Sequence, residues 1–290
     1  MARTGYLEVA EGWCRLRSRG FGPFVTFEEL RRPDGSTARW DSRRHRKHSR
    51  ATGPEPTWWA PRALGWWIGV LFAIGSAGFA LGAFPPYANA LGARSDNITY
   101  FVGSLFFTTA ALGQYAETVR ASPLLGGAPE RRWHRLLSPE PRRIDWWAAA
   151  VQFVGTLLFN RSTFQAIVTN GQQSSLNHDV WRPDVYGSIC FLVASGLAWC
   201  EVCHGMWAWR PRSISWWITA LNLAGSVAFG VSAAASYVEP DGSLRSLALT
   251  NLGTFVGALC FLAGGLLLLP ERTAASPEPP LVTTVLAAGP

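Results

Sequence analysis

Six apolar stretches, each about as long as a bilayer is thick, dominate the pattern of polar and hydrophobic positions. They lie near residues 63–84, 98–117, 145–168, 184–204, 214–237 and 249–269. A hydrocarbon core of about 30 Å takes roughly 20 residues of helix. An apolar span satisfies its backbone only as a helix or within a closed barrel. Barrel strands alternate in polarity, and these stretches do not. The pattern therefore predicts six transmembrane helices. The fourth is the weakest, with sixteen uncharged residues between Asp184 and Glu201.

The stretches also repeat. Pro61-Arg62, Trp66-Trp67, Gly75-Ser76 and Phe79 recur as Pro141-Arg142, Trp146-Trp147, Gly155-Thr156 and Phe159, and again as Pro211-Arg212, Trp216-Trp217, Gly225-Ser226 and Phe229. The pattern is P-R-x3-W-W-x7-G-[ST]-x2-F. The helix that follows repeats as well: Gly103, Phe107 and Glu117 match Gly187, Phe191 and Glu201, then Gly257, Phe261 and Glu271, as G-x3-F-x9-E. Fixed-period self-similarity marks a repeated structural unit. The predicted fold is all-α and polytopic, with six transmembrane helices as three parallel two-helix repeats about a pseudo-threefold axis along the membrane normal. The units are 61–117, 141–201 and 211–271. Linkers 118–140 and 202–210 join them, a basic region 1–60 precedes them, and an Ala/Pro-rich tail over 272–290 is expected to be flexible.

The repeated residues have a physical reading. Pro suits a helix start, where its missing N–H costs nothing. Arg and the Trp pair suit the headgroup boundary. The Gly lies about 12 Å deeper along the helix, near the midplane, where a small residue lets a neighbouring helix approach. Phe, four residues on, shares that face, and Gly78 and Gly82 add a GxxxG pair. The expected helix-packing set is Gly75, Phe79, Gly155, Phe159, Gly225, Phe229, Gly103, Gly187 and Gly257.

Charge adds orientation. Residues 1–62 hold thirteen of the 26 Lys and Arg, and the net charge is +7. The N-terminal region, the 118–144 and 202–213 loops and the tail together hold 22; the opposite loops hold Arg94, Arg182 and Arg245. The positive-inside rule then places both termini in the cytoplasm. Arg outnumbers Lys 25 to 1 among many Ala and Gly, which points to a GC-rich, bacterial source and hence to the bacterial cytoplasmic membrane. The first apolar run begins too late for a cleaved signal peptide. Residues 24–42 predict a small hairpin turning at Pro33-Asp34-Gly35-Ser36. The polybasic run Arg43–Arg50 is expected to contact anionic lipid headgroups, at about 1 kcal/mol per basic residue. Nucleic acid is not an expected partner, since no binding module is recognisable.

Candidate chemistry is sparse. Cys200, Cys203 and His204 spell C-x-x-C-H, the attachment motif of c-type haem, but the predicted topology puts it on the cytoplasmic side and chance spacing is the simpler reading; no cofactor and no metal site is expected. Arg161, beside Asn160, is the one charge deep within a predicted span, and such a residue is a functional candidate; about 21 Å beyond Trp147, it could also snorkel outward. Glu117, Glu201 and Glu271 could ring a cation path, or be solvated helix ends paired with the Arg that opens each repeat. Gln152 and Asn222 share a repeat position that Phe72 occupies in the first unit, which suggests helix–helix hydrogen bonds. Asn97-Ile98-Thr99 matches a glycosylation acceptor, meaningful only in a eukaryotic secretory pathway. With no nucleophile–base pair and no phosphate loop, the expectation is a non-enzymatic structural or interaction role, with a transporter or channel as the alternative and a haem-bearing redox protein as a third.

The G-[ST]-x-x-F elements resemble the YrhK-like family of small bacterial membrane proteins. The resemblance rests on Gly75-Ser76-Phe79, Gly225-Ser226-Phe229, Gly103-Ser104-Phe107 and Gly187-Ser188-Phe191, with Thr156 and Ala258 departing from Ser. It implies a unit of two hydrophobic segments, covers about residues 61–271, and carries no activity or functional residue.

Overall fold

The computed structural model describes residues 12–48, 58–121, 139–169 and 176–271. The expected tail, most of the 118–140 linker, and Ser49 and Arg50 of the polybasic run lie outside the described residues. The chain is mostly helical but not all-α. It opens with an antiparallel sheet of β1 (Cys14–Phe21), β2 (Phe24–Arg31) and β3 (Thr37–Asp41), in that order. The β2–β3 hairpin forms where the turn residues called for it. Gly35 adopts φ +83°, and Asp34 Oδ1 accepts the Ser36 N–H at 2.8 Å, an Asx turn of the expected kind. The β1 strand was missed because its Arg-rich alternation reads as a charged segment.

Helices follow as α1 (Ser42–His48), α2 (Leu64–Gly82), α3 (Pro85–Leu91), α4 (Ala93–Arg120), α5 (Ile144–Val168), α6 (Arg182–Cys203, entered through a π-turn at Leu176–Trp181), α7 (Ile214–Ala235) and α8 (Leu247–Glu271). Among the described residues, four helices are long and apolar enough to cross a membrane: α2, the π-turn with α6, α7 and α8. The expectation of six is thus met by four on hydropathy. In α4 the mean is lowered by Thr99, Tyr100 and Gln114, and in α5 by Gln152, Asn160 and Arg161.

Helices α2, α4, α5, α6, α7 and α8 close into a ring, each packed on its sequence neighbours and α8 returning to α2. Three of the ring's helices, α2, α5 and α7, start the same way. The N–H of Ala63, Arg143 and Ser213 closes a turn on the carbonyl of Ala60, Glu140 and Arg210. The indoles of Trp67, Trp147 and Trp217 then donate to the Pro61, Pro141 and Pro211 carbonyls at 2.9, 3.1 and 2.9 Å. That bond accounts for the fixed P-x5-W spacing: the indole satisfies a carbonyl that lies just before the helix and has no partner within it.

Small residues set the depth of contact. A Cβ on Gly75 would lie 2.9 Å from the Gly103 carbonyl oxygen, on Gly155 2.9 Å from the Phe191 ring, and on Gly225 3.0 Å from the Gly257 carbonyl oxygen. Alanine at Gly75 or Gly155 would make the facing residues shift, and at Gly225 would make them give by a few tenths of an ångström. The space so shaped is filled by six buried Phe side chains. Phe79, Phe159 and Phe229 form one triangle with ring centroids 5.8–6.3 Å apart. Phe107, Phe191 and Phe261 form a second, at 5.7–6.3 Å. Edges of 5.0–5.6 Å join the two. Such mostly edge-to-face contacts add to simple packing, and together the rings fill the middle of the helix ring.

Candidate functional site: a basic helix on the rim of the helix ring

The short helix α1 follows β3 directly. Asp41 Oδ1 accepts the Arg44 N–H at 2.9 Å and so caps the helix start. Positions 43, 46 and 47 are spaced i, i+3 and i+4, so Arg43, Arg46 and Lys47 share one face. All three are buried, while Arg44 is exposed.

That face meets the three glutamates. Arg43 Nε donates to Glu271 Oε1 at 2.7 Å and its NH2 to Oε2 at 3.2 Å. Arg46 grips Glu201 with two nitrogens, at 3.2 and 3.3 Å, and touches Asp145 Oδ2 at 2.7 Å. Lys47 Nζ lies 2.8 Å from Glu117 Oε2. Ser42 Oγ donates to Glu201 Oε1 at 2.7 Å, and Arg143 holds Asp145 with Nε at 3.0 Å and also with its NH2 group. Glu201 is 1% exposed and Glu271 6%, so these are not the solvated helix ends anticipated. Nor do the arginines that open each motif pair with them: Arg62, Arg142 and Arg212 are exposed. Four cations (Arg43, Arg46, Lys47, Arg143) meet Glu117, Asp145, Glu201 and Glu271 in one layer, and Arg143 also pairs with Glu140 at 2.8 Å. Burial alone would lower the pKa of Arg46; the charges of Glu201, Asp145 and Glu117 outweigh it and raise the value.

Inside the ring, between this charge layer and the Phe rings, lies a cavity of about 40 Å³ reached by all six ring helices and by Arg43, Arg46 and Lys47. Its polar lining includes Gln114, Gln152, Asn222, Ser195 and Ser226. Ser195 Oγ donates to Ser226 Oγ at 3.0 Å. A polar space of this size suits a few ordered waters. Gln152 and Asn222, set aside as helix–helix glue, thus line the same cavity as Phe72 of the first motif copy.

The remaining sequence candidates separate from this site. Arg161 is 58% exposed, 3.9 Å from Asp179, while its neighbour Asn160 accepts a hydrogen bond from Thr108 at 3.0 Å across to α4. His204 ends α6 at φ +54°, the one non-glycine with positive φ among the described residues. Its Nδ1 lies 3.0 Å from Thr26 Oγ1 and its Nε2 3.2 Å from Asp41 Oδ2, and its ring packs on Phe27. Both ring nitrogens are therefore engaged in holding the sheet, and Cys203 Sγ points at the Ala208 carbonyl, 3.7 Å away. Burial alone would raise the pKa of Asp41; the hydrogen bond and charge of His204, with the Arg44 N–H, hold it below the usual value. No group of three or more His, Cys, Asp or Glu side chains placed to hold a metal occurs among the described residues. Sequence reasoning found the three glutamates but missed their partners; the helical spacing of Arg43, Arg46 and Lys47 was the available signal, hidden inside a run of like charge.

No family model, curated protein or solved structure matches this chain.

Proposed function

We propose that this chain is a bacterial cytoplasmic-membrane protein that crosses the bilayer six times, as three two-helix units with both termini inside, and that its role is non-enzymatic: a helix ring that holds a small N-terminal sheet and basic helix at the inner surface. One observation carries this reading, the burial of α1 on carboxylates drawn from α4, α5, α6 and α8. The polar content of α4 and α5 fits spanning helices, because much of it faces the ring's own helices. Thr108 bonds Asn160, Ser104 bonds Thr163 at 3.1 Å, and Asn97 donates to the Ala166 carbonyl at 3.0 Å. Membrane helices use such bonds between neighbours. The exposed Trp58, Trp59, Trp207 and Trp209 suit an interfacial belt on the side of the basic helix. A YrhK-like ancestry would make the chain three copies of that family's unit.

A second reading, a path for ions or small solutes, is favoured by the polar cavity inside the ring. In that reading the Phe rings are the hydrophobic constriction.

The topology is tested with an impermeant maleimide on whole cells, in a cysteine-free background. Arg94→Cys, Arg182→Cys and Arg245→Cys should label from outside, and Arg62→Cys, Arg142→Cys and Arg212→Cys only after permeabilisation. Outside labelling of Arg142→Cys, or protection of Arg94→Cys, would remove α4 and α5 from the set of spans.

A further inference from the structure

We infer that α1 is a removable plug that closes the cavity inside the helix ring by neutralising its rim. This rests on the second reading above, in which the cavity belongs to a path. Three features of the contact point to it. First, α1 supplies one cation to each of three ring carboxylates: Arg43 to Glu271, Arg46 to Glu201 and Lys47 to Glu117. The arginines that open each motif copy, Arg62, Arg142 and Arg212, are exposed, and the cations seated on these three glutamates come from α1. Second, the same three cations form the roof of a polar cavity that continues inward to the Phe rings. A helix serving only to anchor the sheet has no need of a polar space behind it. Third, the contact is charge on charge, and α1 adds little apolar burial to it. Buried ion pairs are close to balanced against hydration of the separated charges, so such a helix can leave without the loss that undocking an apolar helix would carry.

With α1 withdrawn, Arg143 still holds Asp145, and Glu117, Glu201 and Glu271 lose the cations that α1 brings them. The open mouth is then acidic and favours cations over anions. The freed helix presents Arg43, Arg44, Arg46 and Lys47.

The test places a cysteine at Gln114, in the cavity wall, in an otherwise cysteine-free chain, and measures its reaction with a cationic methanethiosulfonate from the cytoplasmic face of inverted vesicles. The intact protein should react slowly. Lys47→Glu should accelerate labelling about tenfold or more, because an ion pair becomes a repulsion and biases the docked–undocked equilibrium by at least a decade. The exchange Lys47→Glu with Glu117→Lys should restore protection, and gel filtration of each variant reports whether the ring is intact. Equal labelling rates in the intact and Lys47→Glu proteins, or failure of the exchange to restore protection, overturns the plug. Cation flux in proteoliposomes of the Lys47→Glu protein separates the two ideas. Faster labelling with raised flux supports both; faster labelling without flux supports the plug and removes the path.

Discussion

The middle of the helix ring and the rim that seats α1 are built on opposite principles, although both use residues that recur three times in the sequence. In the middle, Phe79, Phe159 and Phe229 touch one another, as do Phe107, Phe191 and Phe261. The recurring residues are their own partners, and dispersion between rings holds them. At the rim, Glu117, Glu201 and Glu271 recur as well, but like charges cannot pack together. Their partners come once, from a short helix outside the recurring pattern. A threefold motif can thus complete itself when it is apolar and needs a separate counterpart when it is charged.

The largest effect should follow from Arg46→Ala, which leaves the buried Glu201 without its cation, while Arg143 still holds Asp145. Losing one side of a buried ion pair costs about 3–5 kcal/mol while α1 stays seated, and less once α1 lifts and water reaches Glu201; the loss is read as a shift in the midpoint of detergent-induced unfolding, and Arg46→Lys should recover part of it. Phe229→Ala should come next. It removes a ring that touches Phe79, Phe159 and Phe261 and leaves a cavity, for about 3–5 kcal/mol at most, less where neighbouring rings relax. The two substitutions should differ in kind: the first uncovers the rim to water-soluble reagents, the second leaves the rim closed.

Acid sharpens the comparison at the sheet. Asp41 has its pKa held low in the fold, so its contact with His204 adds stability above the ordinary carboxylate value near 4 and loses it as pH falls through the lower folded value. Amide protection of β2 and β3 should therefore fall below about pH 4 while that of the Phe-packed helix segments persists, and Asp41→Asn should remove the step. Smallest of all should be Arg161→Ala. At 58% exposed and 3.9 Å from Asp179, it should change stability by no more than about 0.5 kcal/mol; a larger loss would give Arg161 a role that its placement does not suggest.

How much of this was legible follows the same division. The packing glycines and phenylalanines could be read because their partners are other copies of the same letters. The recurrence of the Trp pairs was legible, but not the indole bond to the Pro carbonyl, which depends on the turn closed on Ala60, Glu140 and Arg210. The C-x-x-C-H letters were set down to chance spacing, and what His204 does could not be read from them: it holds the sheet through Thr26 and Asp41, two residues far away in the chain. The rim was half legible. Three glutamates at one repeat position were visible, yet Arg43, Arg46 and Lys47 sat in a polybasic run whose ordinary reading is a lipid-facing surface. Asp145 and Arg143 occur in one motif copy alone, so no repetition drew attention to them.

The central claim, that charge seats α1 on the rim, is tested most directly by a double-mutant cycle between Arg43 and Glu271, in which Arg43→Ala, Glu271→Ala and the pair are compared by unfolding. A favourable coupling of about 1–3 kcal/mol is expected, with the double variant losing far less than the sum of the singles. Additive losses, within about 0.3–0.5 kcal/mol, would contradict it.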